Sequence, residues 1–528
     1  MLKRNNITFA LLLLLFIIYA SCYISKTSFA IEDEHYFSLF DDAMVSMTYA
    51  KNLAAGHGLV WYPGSERVEG YTNPLWVIYM ALFHLLPVGL TKVSLFIQIS
   101  GALFLLINLF FVKSIADYIS DNSTFVSMGT VALTAFYYSL NTWSLQGMEV
   151  SILTLITTAT VWMVMRNAGQ KAVPVRLFML LGIATLIRMD MIVLFLAILG
   201  YLVIFQKERR WQNFLWGISI LVFFMALQTL LRWWYYGDIL PNTYYLKLTG
   251  YPLFHRITRG LYAVGGLIHR MDVIFFLLPF AVILFRRDRY VFLLLWVFLT
   301  QLGYSIYVGG DAWEHIGITN RYVASVMPLL FILLAYSLQE IRRGAMAKCR
   351  QSSGWIRAAM ILVLIFALFR INLVHSSAME LLLINPPLYV SDNKQMVEKA
   401  LLVKDITEPQ AKTAITWAGA FPYFSNRPVV DLLGKNDRKI AHLPMRSDPN
   451  KSPQTAFYPG HMKWDYEYSI GELKPDIVLQ TWSLEGKPEA EPYLSTDYEK
   501  VKIWGHILHL LKSSPYIRWD KINRLSGK

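Results

Sequence analysis

The sequence predicts a polytopic α-helical membrane protein that carries a C-terminal α/β domain. Three observations lead there. Of the 528 residues, 55% are hydrophobic and only 16% charged, and mean hydropathy is +0.40. Soluble chains carry roughly 25% charged residues. Second, uninterrupted apolar runs of about 15 to 22 residues recur, long enough to cross roughly 30 Å of hydrocarbon as helices. They are continuous rather than alternating, which excludes a β-barrel. Third, the composition turns polar after about residue 375.

Lys3 and Arg4 place the N-terminus on the cytoplasmic side, and the first span is expected at 7–25 as an uncleaved signal-anchor. The stretch 74–90 begins with Pro74 and is interrupted by Pro87, so it reads as a partial or surface-lying helix. The next spans are expected at 94–113, 124–141, 149–166, 175–189, 191–206 and 212–232. The last four are 271–285, 290–308, 321–339 and 355–373. The total is about 11, with about 12 or 13 as the alternative count. Beyond them, short apolar runs such as "RPVVDLL" and "PDIVLQTW" read as strands of a small periplasmic domain. The expected division is a transmembrane domain 1–375, with a first outer loop at about 26–93, and a soluble domain 376–528.

Net charge is +13. Much of it lies in the short loops 166–176, 206–210, 286–289 and 342–350, which the positive-inside rule puts in the cytoplasm. This accounts for the basic balance without nucleic acid. The two cysteines, Cys22 and Cys349, fall in a span and a basic loop and suggest no disulfide framework. No Walker loop, dinucleotide fingerprint or His/Cys metal spacing is present.

With this threading the chemically rich loops share the outer face. The first loop holds Asp41, Asp42, His57, Glu66, Arg67, Glu69, Asn73 and Trp76. Later loops and helix ends add Glu149, Arg188, Asp190, Asp238, Asn242, Tyr244, Tyr245, Lys247, Asp311, Glu314, His315 and Arg321. Ionisable groups at a bilayer edge are costly unless paired or used. Carboxylates that act as a base or hold a cation, cations that hold phosphate, and rings that stack on sugars together suit sugar–phosphate chemistry. Ordinary structural roles compete for the same residues. One of Asp41 and Asp42 suits the N-cap of a helix starting near Met44. Gly56, Gly58 and Gly64 suit turns, and His57 suits either a turn or a ligand. Arg188 and Asp190 suit a simple ion pair, while Asp238 and Asp311 suit caps or turns. Lys247, a cation in an outer loop, runs against the charge rule.

The stretch "FDDAMVSMTYAKNLAAGHGLVWYPGSERVEGYTNPLWV" (40–77) resembles the signature of a polyprenyl-phosphate-dependent GT-C glycosyltransferase family, the one that includes the mycobacterial terminal β-(1→2)-arabinofuranosyltransferase. "SLQGMEVSILTL" (144–155), "YYGDILPNTYYLK" (235–247), "YVGGDAWEH" with "NRYVASVMPLL" (307–330) and "GAFPYFSNRPVVDLLGKND" (419–437) are similar to further blocks, in order along the chain. "RMD" at 188–190 departs from the Arg-Pro-Asp/Glu of the pattern. The resemblance implies a GT-C fold and transfer of a sugar from a lipid-phosphate carrier on the outer face of the inner membrane. In the best-known branch that sugar is D-arabinofuranose. A first-loop carboxylate, Asp41 or Asp42, becomes the catalytic group. Lys247, Arg188 and Arg321 become candidates for clamping the departing phosphate. His57, Glu66, Glu69, Asn73, Trp76, Glu149, Asp238, Asn242, Tyr245, Asp311 and His315 become candidates for the substrate groove. A divalent cation between the aspartates is one option, and the C-terminal domain would bind the acceptor, an envelope glycan, lipopolysaccharide or a protein.

Rival readings differ in where polar groups belong. A lipid-linked-sugar flippase should keep them near the bilayer midplane in repeated, broken helices, whereas here they collect at one rim. A scaffold protein has no need of matched acids and bases in several loops. Within the enzyme class, transfer of a pyranose or aminosugar to O-antigen, lipid A or protein uses the same carrier chemistry.

Overall fold

The computed structural model describes residues 2–167, 175–348, 353–372, 377–446 and 452–526. Residues 168–174 and 349–350 of the basic loops expected at 166–176 and 342–350, Cys349 among them, lie outside the described residues, while 342–348 continues helix Met327–Lys348. Helices form at each of the apolar runs. Among the described residues five are long and apolar enough to cross a membrane: 5–27, 90–119, 207–236, 289–308 and 354–372. Two bent pairs, Tyr138–Leu145 with Val150–Arg166 and Leu253–Met271 with Val273–Leu284, raise that number to seven when each pair is taken as one span. The apolar runs at 124–141, 175–189 and 191–206 are covered by shorter helices, as is the Pro-bounded segment at Pro74–His84. The chain is therefore a helical membrane protein, as its hydropathy requires.

One helix was not anticipated. Leu253–Met271 carries Arg256, Arg259 and Arg270 along one side and Phe254, Leu261 and Tyr262 exposed on another. Its cationic residues and paired glycines keep its hydropathy low, which hides it from a span search.

The chain divides into two compact units, each built from three separate stretches. One comprises residues 1–26, 97–228 and 253–388, and the other 27–96, 229–252 and 389–528. The partition does not follow the expected boundary at 375. The first outer loop and the segment 229–252 group with the C-terminal stretch, because helix Asp41–Ala54 packs on helix Ala420–Ser425.

The C-terminal stretch carries a five-stranded sheet. Strands β1 (Ser28–Ile31) and β2 (Glu34–Phe37) form a separate hairpin in the first loop. The larger sheet contains β3 (Thr413–Ile415), β4 (Val429–Asp431), β5 (Ile477–Val478), β6 (Tyr498–Ile503) and β7 (His506–Leu511), in the order β4-β3-β5-β7-β6. β3 is parallel to β4 and β5, while β7 runs antiparallel to β5 and β6. The short parallel strands are buried on both faces and read as continuous apolar runs, as such strands must. Ala414, Val430, Leu432, Val478, Tyr498 and Leu511 build its core with Trp464, Tyr466 and Leu494. The carboxyl end of β4 leads straight into the loop Leu432–Asp437, the position at which α/β sheets present ligand-binding groups.

Candidate active site

The helix that follows β2 begins at Asp41 itself, with Phe40 as its N-cap. Neither aspartate caps it through its side chain, so the capping role expected for one of them is not met. Both carboxylates instead stand on its first turn, where the helix dipole favours negative charge. The Gly419 N–H donates to Asp41 Oδ1 at 2.9 Å. A Cβ at Gly419 would collide with the Asp41 carboxylate and backbone, so only glycine permits this approach. Asp42 is ion-paired with Lys435, Nζ to Oδ1 2.5 Å. Burial pushes the Asp41 carboxyl up to about 7, helped by the like charges of Asp42 and Asp431 and opposed by Lys435 and the Gly419 hydrogen bond. A carboxylate that titrates near neutrality is suited to accept a proton from a hydroxyl.

Lys435 sits in a loop that Asp431 and Asn242 hold from two sides. Asp431 Oδ1 accepts from the N–H groups of Leu433 (3.0 Å) and Gly434 (3.1 Å), and Oδ2 accepts from the Asn436 N–H (2.8 Å). The Asn242 side chain donates to the carbonyls of Gly434 and Lys435 at 3.0 Å and of Asp437 at 3.3 Å. The Tyr49 hydroxyl bridges the first loop to this one, 2.8 Å from the Val68 carbonyl and 3.0 Å from Asn436 Oδ1. Two blocks that are neighbours only in space, 235–247 and 419–437, thus fix Lys435 beside Asp42. Lys247 belongs to the same cluster. A Cβ on Gly460 would lie 3.2 Å from Lys247 Cε, and the charges of Lys247, Lys435 and Asp42 all act on His461. Burial, with those lysines adding, holds the His461 imidazole down at about 4, so it is neutral.

Other first-loop candidates serve the scaffold. Glu69 is buried and ion-paired with Arg232. Asn73 is buried and accepts from the Ser46 hydroxyl at 3.0 Å, and Trp76 is buried against Tyr79. Glu66 and Asp238 both face Arg438, at 3.4 and 3.2 Å. His57 is exposed on the turn closing the helix. The Tyr245 ring packs on His442 with centroids 4.2 Å apart, while its carbonyl accepts from Lys463 Nζ at 2.9 Å.

The remaining candidates lie in the other unit and form a second polar cluster. Arg188 forks onto Asp190 (Nε–Oδ1 2.9 Å, Nη2–Oδ2 2.7 Å) and reaches Glu149 with Nη1 at 2.7 Å. Arg321 pairs with Asp311, Nε to Oδ2 2.8 Å. Arg259, on the unanticipated helix, donates to the carbonyls of Gly309 (2.8 Å) and Asp311 (2.9 Å) and pairs with Glu314, which also accepts from Asn320 Nδ2 at 2.6 Å. Tyr322 lies against both Arg188 and Arg321. Three arginines are matched by four carboxylates, the condition under which buried charge is tolerated. Arg188 and Arg321, expected as candidates for holding phosphate, are each ion-paired with carboxylates in this structure. The His315 side chain lies outside the described residues. Among the described residues no three His, Cys, Asp or Glu side chains converge as metal ligands, and beside Asp42 stands an ammonium group.

Sequence reasoning missed Lys435, Gly419 and Asp431, although the block 419–437 was itself conspicuous. Their partners in the first loop are hundreds of residues away and no spacing rule connects them.

Comparison with known proteins gives a consistent fold. A family model described as a predicted membrane protein (DUF2079) matches residues 135–452, and a domain of unknown function (DUF8728) matches 388–521. No curated protein matches. Among solved structures, ArnT from Cupriavidus metallidurans in the apo state is similar at 12% identity and TM-score 0.56, over 94% of this chain and 97% of that one. The same protein bound to undecaprenyl phosphate is similar at 12% identity and TM-score 0.56, over 95% and 98%. The archaeal oligosaccharyltransferase AglB from Archaeoglobus fulgidus, in complex with an inhibitory peptide and a dolichol-phosphate, is similar at 10% identity and TM-score 0.53, over 95% and 74%. The fold is the GT-C fold, with a C-terminal sheet domain.

Proposed function

The chain belongs to the family of predicted membrane proteins matched over residues 135–452, and from that premise we propose that it is a membrane glycosyltransferase using a polyprenyl-phosphate sugar donor. The observation that carries the proposal is Asp41, pushed up to about 7 on a helix first turn beside the Asp42–Lys435 pair, with Lys247 and Lys435 both acting on the nearby His461. The similarity in fold to a protein bound to undecaprenyl phosphate and to one in complex with a dolichol-phosphate supports the donor class. The sequence resemblance supports D-arabinofuranose as the sugar and an envelope glycan or glycoprotein as the acceptor. The reaction would take place at the extracytoplasmic face of the inner membrane.

In this reading Asp41 takes the proton of the acceptor hydroxyl as its oxygen attacks the anomeric carbon. The bond between that carbon and the phosphate oxygen breaks, and polyprenyl phosphate departs with the electron pair. Its charge is met by Lys435, the partner of Asp42, and by Lys247, which with Lys435 acts on His461, through charge-assisted hydrogen bonds. Asp42 holds Lys435 in place. Asn242 and Asp431 act through the loop they order, and are positioning residues.

The test is transfer from synthetic polyprenyl-phospho-arabinofuranose to envelope glycan in membranes, with wild type, Asp41→Asn and Asp42→Asn at equal expression. Transfer by wild type and its loss in Asp41→Asn support the proposal. Transfer from a different carrier-linked sugar alone keeps the mechanism and changes the sugar. Undiminished transfer in both variants removes the proposal.

A further inference from the structure

Half-buried aromatic rings gather beside the aspartates, and the catalytic reading leaves them without a task. Tyr458 and Trp482 stack with centroids 6.0 Å apart and planes 10° from parallel. His461 lies against both, at 4.5 Å from Tyr458 and 4.8 Å from Trp482. Tyr389 and Trp417 meet edge to face at 5.7 Å. All five side chains are only partly buried, whereas the neighbouring core residues Tyr466 and Trp464 are enclosed.

Three chain connections place these rings at the site. Tyr389 packs on Phe40, the residue before Asp41, with centroids 5.4 Å apart. Trp417 lies two residues before Gly419, whose N–H holds the Asp41 carboxylate. His461 follows Gly460, which packs against Lys247. Tyr389 and Tyr458 are close enough to interact electrostatically, and Tyr389 lies in the field of Asp41. Tyr389 also adopts a left-handed backbone, φ 65°, at the start of helix Val390–Ile406. For a bulky residue that conformation is strained and persists only where the surrounding structure over-determines it.

We propose that Tyr389, Trp417, Tyr458, His461 and Trp482 form a stacking platform for a neutral sugar ring of the acceptor glycan. This rests on the transferase reading above and names the acceptor class for that site. A donor sugar is already tethered by its phosphate and lipid, so the lysines and the bilayer hold it. An acceptor glycan offers only uncharged rings and hydroxyls, and stacking on aromatic faces is its strongest handle. The platform and the proton-accepting Asp41 then act on the same molecule, one holding a ring and the other a hydroxyl. The neutral His461 adds a flat apolar face rather than a charge.

The experiment measures binding without turnover. The full chain in lipid nanodiscs, without donor, is titrated with three linear trisaccharides, of arabinofuranose, galactose and N-acetylglucosamine, and binding is read by saturation-transfer NMR. Wild type should bind at least one of them. Tyr458→Ala and Trp482→Ala should weaken that binding tenfold or more, and Trp482→Phe should restore most of it, which separates loss of a ring from loss of fold. Undiminished binding in both alanine variants, or no binding of any trisaccharide to wild type, would overturn the platform. Failure of the transferase reading would look different: Asp41→Asn would remain active in transfer whatever the trisaccharide result.

Discussion

Because Asp41 is pushed up to about 7, its ionisation should set the acid limb of kcat/KM. With a single titrating base of that pKa, activity at pH 6 is about one-tenth of its plateau and at pH 7 about half. Lys435 opposes the upward shift and Asp42 adds to it. An opposite charge within about 4–6 Å moves a carboxyl by roughly 1–3 units. Lys435 engages Asp42 directly, at 2.5 Å, so its effect on Asp41 belongs at the lower end, about one unit. Lys435→Met should therefore carry the limb to about pH 8, with kcat/KM at pH 7 falling to roughly one-fifth of the wild-type fraction of plateau. Asp42→Asn removes a like charge and should carry the limb the other way. The assay is donor turnover from pH 5.5 to 9.5 in one mixed buffer, and the readout is the position of the limb, since the plateau also reflects phosphate binding. A limb at the same pH in all three proteins would refute the assignment of Asp41 as the titrating base.

Other consequences follow from the same geometry. The unfolded chain ionises Asp41 from its ordinary 3.8, whereas the folded chain keeps the proton until about 7, so stability contributed by the protonated form is lost as pH rises through that window. Asp41→Asn should thus raise Tm relative to wild type by an amount that grows between about pH 4 and 7 and levels off above, read by thermal denaturation in nanodiscs. Arg232→Met leaves Glu69 buried without its partner and should destabilise the fold by about 3–5 kcal/mol; adding Glu69→Gln should recover part of that loss. Gly419→Ala places a methyl group against Asp41 and should lower kcat at least tenfold while leaving circular dichroism unchanged.

Much of the fold was legible because the bilayer imposes one period and one length on every span. The stretch around Asp41 and Asp42 was legible for a related reason: two carboxylates at a membrane edge demand an explanation. Their partner was not, because Lys435 is 393 residues away and its loop is ordered by Asp431 and Asn242. Glu69 stood out by the same polarity argument and proved to be the partner of Arg232, 163 residues later. Arg188 and Arg321 illustrate the complementary limit. Their cationic character suits phosphate, but the sequence does not reveal that Asp190, Glu149 and Asp311 already hold them. Helix Leu253–Met271 was hidden because its arginines and glycines lower its hydropathy, and the sequence does not show that Arg256 and Arg259 find partners within the fold.

The most direct test of the account is the fate of the carrier. Membranes containing the wild-type chain are given polyprenyl-phospho-arabinofuranose labelled in both sugar and phosphate. The account predicts that each labelled sugar reaching the envelope fraction releases one polyprenyl phosphate, and that both products disappear in Asp41→Asn while the folded protein remains. Release of polyprenyl phosphate at the wild-type rate by Asp41→Asn, or passage of the intact donor across the bilayer with no bond broken, would contradict it.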